Sequence, residues 1–284
     1  MKKFPHGHRV LYWDLGGIRV KLESVLSEFP TTWQWACPPC WWSKNEQADV
    51  EIQISLYSGL LETERTIAVS HGDDGVITLL LHGGFGTFRW NGHQMTGDFH
   101  LDDSDPFTLT TFLKFVLAIY YEKSGILLHS SGVIWREEVW LFSGPSGVGK
   151  STIANELRCD GALFSEDVCV VTMQSDQEMY AHATPFGDDR QRIDAVRSAP
   201  LAGIVFIQQS TETRVCNIST MDALRRLYRE TRFFERDLIS NQYFLNVVQN
   251  IVASGMCCNL EFRKDKLFWP KLEQWRLNRG GRHE

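Results

Sequence analysis

Two hydrophobic rhythms run along this 284-residue chain, and one gives way to the other near residue 105. In the first hundred residues apolar and polar positions alternate at the period of a half-buried strand. Val50-Glu51-Ile52-Gln53-Ile54-Ser55-Leu56 is the plainest case, followed by Val76-Ile77-Thr78-Leu79-Leu80-Leu81 and Thr87-Phe88-Arg89-Trp90. Gly83-Gly84-Phe85-Gly86 separates the last two and predicts a hairpin connection, because a nucleotide loop would need a lysine and a following helix. Asp102-Asp103-Ser104-Asp105-Pro106 then predicts a helix start, with capping side chains and a proline near the first turn. An amphipathic helix is expected over 108–122, ended by Gly125. The three aspartates complement the helix dipole, which accounts for them without a metal.

Beyond residue 126, short apolar strands alternate with helical stretches. Strands are expected over 126–129, 139–142, 162–165, 168–171, 201–208 and 259–263. Helices are expected from 152 to about 158, over 221–234 and over 236–253. Such interleaving predicts an α/β domain. The expected organisation is a smaller β-rich N-terminal domain over 1–105, for acceptor or partner docking, and a catalytic domain over 106–284. No internal repeat or low-complexity segment interrupts it.

Composition narrows the function classes. With 43% hydrophobic and 23% charged residues the chain can bury a sizeable core. A formal net charge of −6 argues against a nucleic-acid binder, which would present a strongly basic domain. The longest apolar candidate for a membrane span, 107–121, is too short and carries Lys114, so no membrane partner is expected. Met1-Lys2-Lys3 leads into Phe4-Pro5-His6-Gly7-His8 with no apolar export core, and a cytoplasmic protein is the expectation.

Seven cysteines, an odd number, then suggest reduced thiols. Cys37-Pro38-Pro39-Cys40 has redox or half-zinc-site spacing, but it lacks a thioredoxin-like context, and Cys257-Cys258 makes a poor second half. Two thiols in a tryptophan-rich loop is the simpler reading. Trp33, Trp35, Trp41 and Trp42 crowd the same segment. Core or domain-interface packing is expected of them, with an aromatic partner surface as the alternative.

The strongest chemical signal is Gly144-Pro145-Ser146-Gly147-Val148-Gly149-Lys150-Ser151, a G-x-x-x-x-G-K-S phosphate-binding loop. The apolar run Val139-Trp140-Leu141-Phe142 precedes it, and Thr152-Ile153-Ala154-Asn155-Glu156-Leu157 follows with helical character. Glycines there let backbone N–H groups wrap a polyphosphate, and a helix start adds partial positive charge. Lys150 would reach the β- and γ-phosphates of ATP, and the Ser151 hydroxyl would sit on Mg²⁺. Binding of the nucleotide is therefore expected over residues 144–152, from Gly144 through Thr152.

The loop alone does not separate a kinase from an ATPase switch; nearby acids bear on that choice. Glu166 and Asp167 begin a strand expected to run beside the loop. One carboxylate can accept a proton from an incoming hydroxyl while the other helps hold Mg²⁺. A helix–strand connector with solvated acids is the plainer alternative. His129, at the expected end of the preceding strand, reads on its own as a strand-end residue.

Taken together, Leu128-His129-Ser130-Ser131-Gly132-Val133, then Phe142-Ser143 with the loop, then Gly161-Ala162-Leu163-Phe164-Ser165-Glu166-Asp167 resemble the catalytic domain of HPr serine kinase/phosphorylase and its relatives. That family's domain is similar to the nucleotide-binding part of phosphoenolpyruvate carboxykinase. The resemblance covers about residues 126–269 and implies a P-loop catalytic domain of that type. It implies Glu166 as base for the acceptor hydroxyl, His129 as its neighbour, and Asp167 and Ser151 as metal contacts. Family members usually carry Asp where this chain has Glu166, and the second glycine-rich signature of true HPr kinases is missing after the acid pair. The chain looks closer to the short relatives found with ribosomally made peptides, including lasso-peptide precursor kinases. Ala183-Thr184-Pro185-Phe186-Gly187-Asp188, residues 200–214 and Leu260-Glu261-Phe262-Arg263 are similar to segments of those proteins. True HPr kinases are hexamers, so the resemblance leaves a homo-oligomer open.

Two basic groups are candidates for anion contacts. Arg225, Arg226, Arg229, Arg232 and Arg236 recur at helical spacing, as a solvated face or as a site for an acidic peptide or a nucleotide phosphate. Asp188 and Arg190, with Arg192 and Arg197 beyond them, and Arg214 are candidates for acceptor or phosphate contacts. The expected activity is a Mg-dependent transfer of phosphate from ATP to a serine or threonine of a protein or peptide. A small-molecule hydroxyl kinase and a regulatory ATPase share the same motifs.

Overall fold

The computed structural model describes residues 10–25, 39–56, 68–72, 75–81, 83–91, 94–101, 106–156, 162–174, 178–187, 196–231, 241–263 and 268–280. It divides into two units: Met1–Glu122 with Phe233–Ser240, and Lys123–Arg232 with Asn241–Glu284. The division thus falls after the first helix, not at the acidic turn before it.

Among its described residues the first unit is a seven-stranded sheet carrying one α-helix. Its strands are β1 (Val10–Leu15), β2 (Ile18–Ser24), β3 (Val50–Leu56), β4 (Ala68–His71), β5 (Ile77–Leu81), β6 (Gly84–Asn91) and β7 (Gln94–Leu101), and the helix is α1 (Pro106–Tyr120). The spatial order is β1-β2-β3-β7-β6-β5-β4, with β3 parallel to both β2 and β7. Alternation decides which face is buried: Ile18, Val20, Leu22 and Ser24 of β2 point inward while Arg19, Lys21 and Glu23 point out.

The expected hairpin joins β5 to β6 with Gly83 in its turn, but Gly84 and Gly86 are not part of that connection. They lie inside β6, opposite Leu81 and Leu79. A Cβ on Gly86 would fall 2.4 Å from the Phe99 ring and 3.0 Å from that of Phe112, so the missing side chains let α1 pack close to the strands. Pro106 opens α1 as expected, and among the described residues of the helix those at 107, 111, 114, 118 and 120 are less than buried.

Trp41 is buried, in keeping with a packing role, while Trp33, Trp35 and Cys37 lie outside the described residues. The described cysteines are free thiols, with Cys40 exposed.

The second unit carries the loop. Its elements are β8 (Gly125–Trp135), β9 (Glu138–Ser143), α2 (Lys150–Glu156), β10 (Ala162–Ser165), β11 (Val168–Met173), β12 (Met179–His182), β13 (Ser198–Gln209), β14 (Arg214–Asn217), α3 (Thr220–Glu230), α4 (Asn241–Ala253), β15 (Cys257–Phe262) and α5 (Phe268–Gly280). The strand order is β10-β8-β11-β12-β13-β15-β14, with β9 paired to β8 and β13. β9, β13 and β15 are parallel, and 201–207 of β13 is buried without a break, as a central parallel strand requires.

Strand β8 is paired along its whole length: residues 125–129 with β11, 132–134 with β10, and 130–135 with β9. His129 therefore lies within an eleven-residue strand and not at its end. The strand that follows the acids, β11, runs beside β8 and not beside the loop's own strand. Phe268 and Trp269 of α5 pack edge-on against Phe142 and Trp140 and close the core beneath β9. Among the described residues no helix is long and apolar enough to cross a membrane.

Candidate active site

The site grows from the end of β9. Phe142 and Ser143 are buried, and the chain then turns outward so that 145–147 are exposed. Gly147 and Gly149 take φ of 78° and 112°, which a side chain would resist and which let the loop curl ahead of α2. The Val148 N–H donates to the Pro145 carbonyl at 3.3 Å and the Ile153 N–H to that of Gly149 at 3.0 Å. Lys150 folds back into this curl: its Nζ donates to the carbonyls of Gly144 at 2.7 Å and Pro145 at 3.0 Å, and it is buried. Ser151 is exposed at the start of α2, with Thr152 half-buried behind it.

Register brings the other candidates toward the loop. Ser143, the residue before Gly144, lies opposite Ser130 of β8 on one side and Phe206 of β13 on the other. Its hydroxyl donates to the His129 carbonyl at 2.8 Å. The His129 Nδ1 in turn meets the Asp167 carboxylate at 3.2 Å. Loop, histidine and second acid are thus linked by consecutive contacts. The described partner of His129 is thus Asp167, the second acid.

The acid pair sits in a constrained turn. Asp167 has a φ of 62°, in the left-handed region that Asp tolerates better than most residues. The Val168 N–H closes a three-residue turn on the Glu166 carbonyl at 2.7 Å, and the Ser130 N–H holds the Asp167 carbonyl at 3.1 Å. Ser165 and Thr184 fasten the turn from below. The Ser165 hydroxyl donates to the Val168 carbonyl at 2.8 Å and accepts from the Thr184 N–H at 3.3 Å, while the Thr184 hydroxyl also donates to the Val168 carbonyl.

Glu166 is 7% exposed, and Gly187 packs directly against it. A Cβ on Gly187, whose φ is 128°, would fall 2.6 Å from the Glu166 Cβ. Thr184 and Gly187 therefore belong to the site's frame, a role that their place in a family-like segment does not reveal.

On the loop's other side three residues stand out. The Gln209 side-chain amide, at the end of β13, donates to the carbonyls of Gly147 at 3.3 Å and Val148 at 3.5 Å. Arg226 and Arg229 of α3 line a cleft of about 560 Å³ with the loop and the end of β13. Helical spacing had marked both arginines, although not the direction they face. Gln209 carries no sequence signal.

Arg214 lies on the edge strand β14. It is engaged by Glu212 at 2.7 Å and Glu261 at 4.0 Å, and its described contacts are with these acids. Asp188, Arg190 and Arg192 lie outside the described residues, as do Arg232 and Arg236. Among the described residues no three His, Cys, Asp or Glu side chains gather into a group that would hold a metal by themselves.

No protein-family model matches the chain, and no curated protein is similar to it in sequence. Among solved structures it is similar to the HPr(Ser) kinase/phosphatase from Coxiella burnetii, with 10% identity and a TM-score of 0.32, over 55% of this chain and 99% of that one. So distant a likeness leaves the functional reading to the geometry of the site.

Proposed function

We propose that the chain is a kinase that uses a Mg²⁺-bound nucleoside triphosphate to phosphorylate a serine or threonine hydroxyl of a protein or peptide. The observation that carries this reading is the linked chain of contacts from Ser143, at the root of the loop, through His129 to Asp167, with Glu166 next to it. Asp167 alone would serve a loop that only binds a Mg²⁺-nucleotide, and Glu166 adds a group that can take a proton.

The residues divide the work. The loop N–H groups and Lys150 take the phosphate oxygens, for which the Lys150 ammonium must exchange the Gly144 and Pro145 carbonyls for stronger anionic acceptors. Ser151 and Asp167 would hold Mg²⁺, which neutralises charge on the transferred group. His129 positions Asp167. Glu166 takes the proton from the acceptor hydroxyl as its oxygen bonds to the γ-phosphorus. The bond from that phosphorus to the bridging oxygen breaks, and the nucleoside diphosphate leaves with the electron pair.

Burial of Glu166 against Gly187 fixes the base at the cost of reach, so an acceptor hydroxyl must come to it. A hydroxyl on an extended peptide can do so, and a precursor peptide of a ribosomal natural product fits that description. The test is incubation with Mg²⁺ and γ-labelled ATP, with and without serine-containing peptides or lysate from the protein's own source. Label on a peptide or protein serine supports the reading. Label on a small hydroxyl compound moves the acceptor class, and label released only as free phosphate points to a regulatory ATPase.

A further inference from the structure

The loop has two flanks, and the acids occupy only one. Ser143 pairs with β8 on the side of His129 and Asp167, and with β13 on the other. On that second side lies the cleft of about 560 Å³, formed by 145–148 of the loop, 207–209 of β13, Arg226 and Arg229. It holds two guanidinium groups beside the loop, whose Gly147 and Val148 carbonyls are met on this side by the Gln209 amide.

The two arginines are built in differently. Arg226 is half-buried, with its guanidinium carbon 5.7 Å from the centre of the Phe206 ring, so β13 supports it from beneath. Among the described residues it has no ion-pair partner within 4 Å. Arg229 is exposed and is steadied by the buried Glu230 at 2.9 Å. Arg225, one turn before Arg229, pairs with Asp222 at 3.4 Å and does not line the cleft. Burial, and then the nearby charge of Arg229, hold the Arg226 guanidinium below its ordinary pKa. A cation in that position gains from an anion placed between the two. In a chain of net charge −6 this is a local reversal of sign, beside the feature most suited to phosphate.

We infer that Arg226 and Arg229 bind the phosphate chain of the donor nucleotide from the β13 flank, leaving the β8–β11 flank to the acceptor hydroxyl. The assignment rests on the kinase reading, and it follows from which flank holds the base. The acceptor must reach Glu166, so charge on the opposite flank meets the donor. A planar guanidinium offers paired N–H groups that match phosphate oxygens, which a solvated lysine would do less selectively.

The experiment is a binding titration of the full chain with ATP, ADP and AMP in Mg²⁺, by calorimetry. It compares wild type, Arg226→Gln/Arg229→Gln and Lys150→Ala. The double variant is expected to bind ATP roughly a hundredfold more weakly, about tenfold for each lost charge-assisted contact. AMP binding should fall far less, so the preference for ATP over AMP shrinks. If the double variant departs from wild type in its circular dichroism, Arg229→Gln alone, at an exposed position, is expected to show about a tenfold loss for ATP. ATP affinity equal to wild type in the folded variant overturns the inference, and if Lys150→Ala has weakened ATP binding the kinase reading survives. Wild-type protein that binds no nucleotide overturns both.

Discussion

The two flanks of the 144–151 loop are built on opposite plans. On the β8–β11 side polar groups are tied to one another: Ser143 to His129, His129 to Asp167, Ser165 and Thr184 to Val168. On the β13–α3 side a half-buried arginine rests on an aromatic ring and a glutamine amide touches the loop from outside. The first plan fixes geometry, as proton transfer requires. The second leaves charge to be met by a ligand. Position and charge are thus supplied from different strands, and each can be damaged without the other.

The largest expected effect comes from removing what both flanks share. Lys150→Ala should lower transfer by about 10²–10³-fold, the loss typical of one preorganised donor, and also weaken ATP binding. Steady-state kinetics beside a binding titration would show it. Loss of neither would mean that the loop does not hold phosphate.

Gly187→Ala breaks the fixed flank alone. With a φ of 128° and a Cβ that would lie 2.6 Å from that of Glu166, the alanine should cost about 1–3 kcal/mol of stability. Transfer should fall more than ATP affinity does. A variant as active and stable as wild type would show that Glu166 has room to move.

The floor of that flank also responds to acid. His182 of β12 bonds Thr172 and Ser198 at 2.8 Å each, and burial lowers its pKa from 6.5 to about 4. The unfolded chain therefore takes up a proton that the folded one refuses between those values. Stability is complete above about pH 6.5, falls as the pH drops toward 4, and is flat below, for a total of up to about 3 kcal/mol. Chemical denaturation at pH 7 and pH 5 should show part of this loss, and His182→Gln should remove it. An unchanged midpoint in wild type would contradict the burial.

The smallest effect is expected on the open flank. Gln209→Ala removes two long hydrogen bonds to loop carbonyls and should change ATP affinity only about two- to fivefold. A loss as large as that of Lys150→Ala would make Gln209 a ligand contact instead of a brace.

What the sequence made legible follows the range of the interactions. Strand β3 could be read residue by residue because alternation is local, and so could the loop, whose chemistry sits in eight consecutive residues. The pairing of His129 with Asp167 depends on the register of β8 against β11, which no window around either residue contains. Gly187 reads as a turn glycine until the fold places it on Glu166. Gly84 and Gly86 were misleading for the same reason: close packing by a helix from elsewhere uses the same residue as a turn. Helical spacing put Arg226 and Arg229 on one stripe, but the packing of α3 decides that they meet the loop while Arg225 does not.

The most direct test of the central claim is to follow Glu166→Gln with γ-labelled ATP, measuring phosphate transfer to a serine peptide and ATP affinity on the same preparation. The account predicts that transfer falls by about 10²–10⁴-fold while ATP affinity stays within a few-fold of wild type. Transfer that persists, or transfer and binding lost to the same degree, would contradict it.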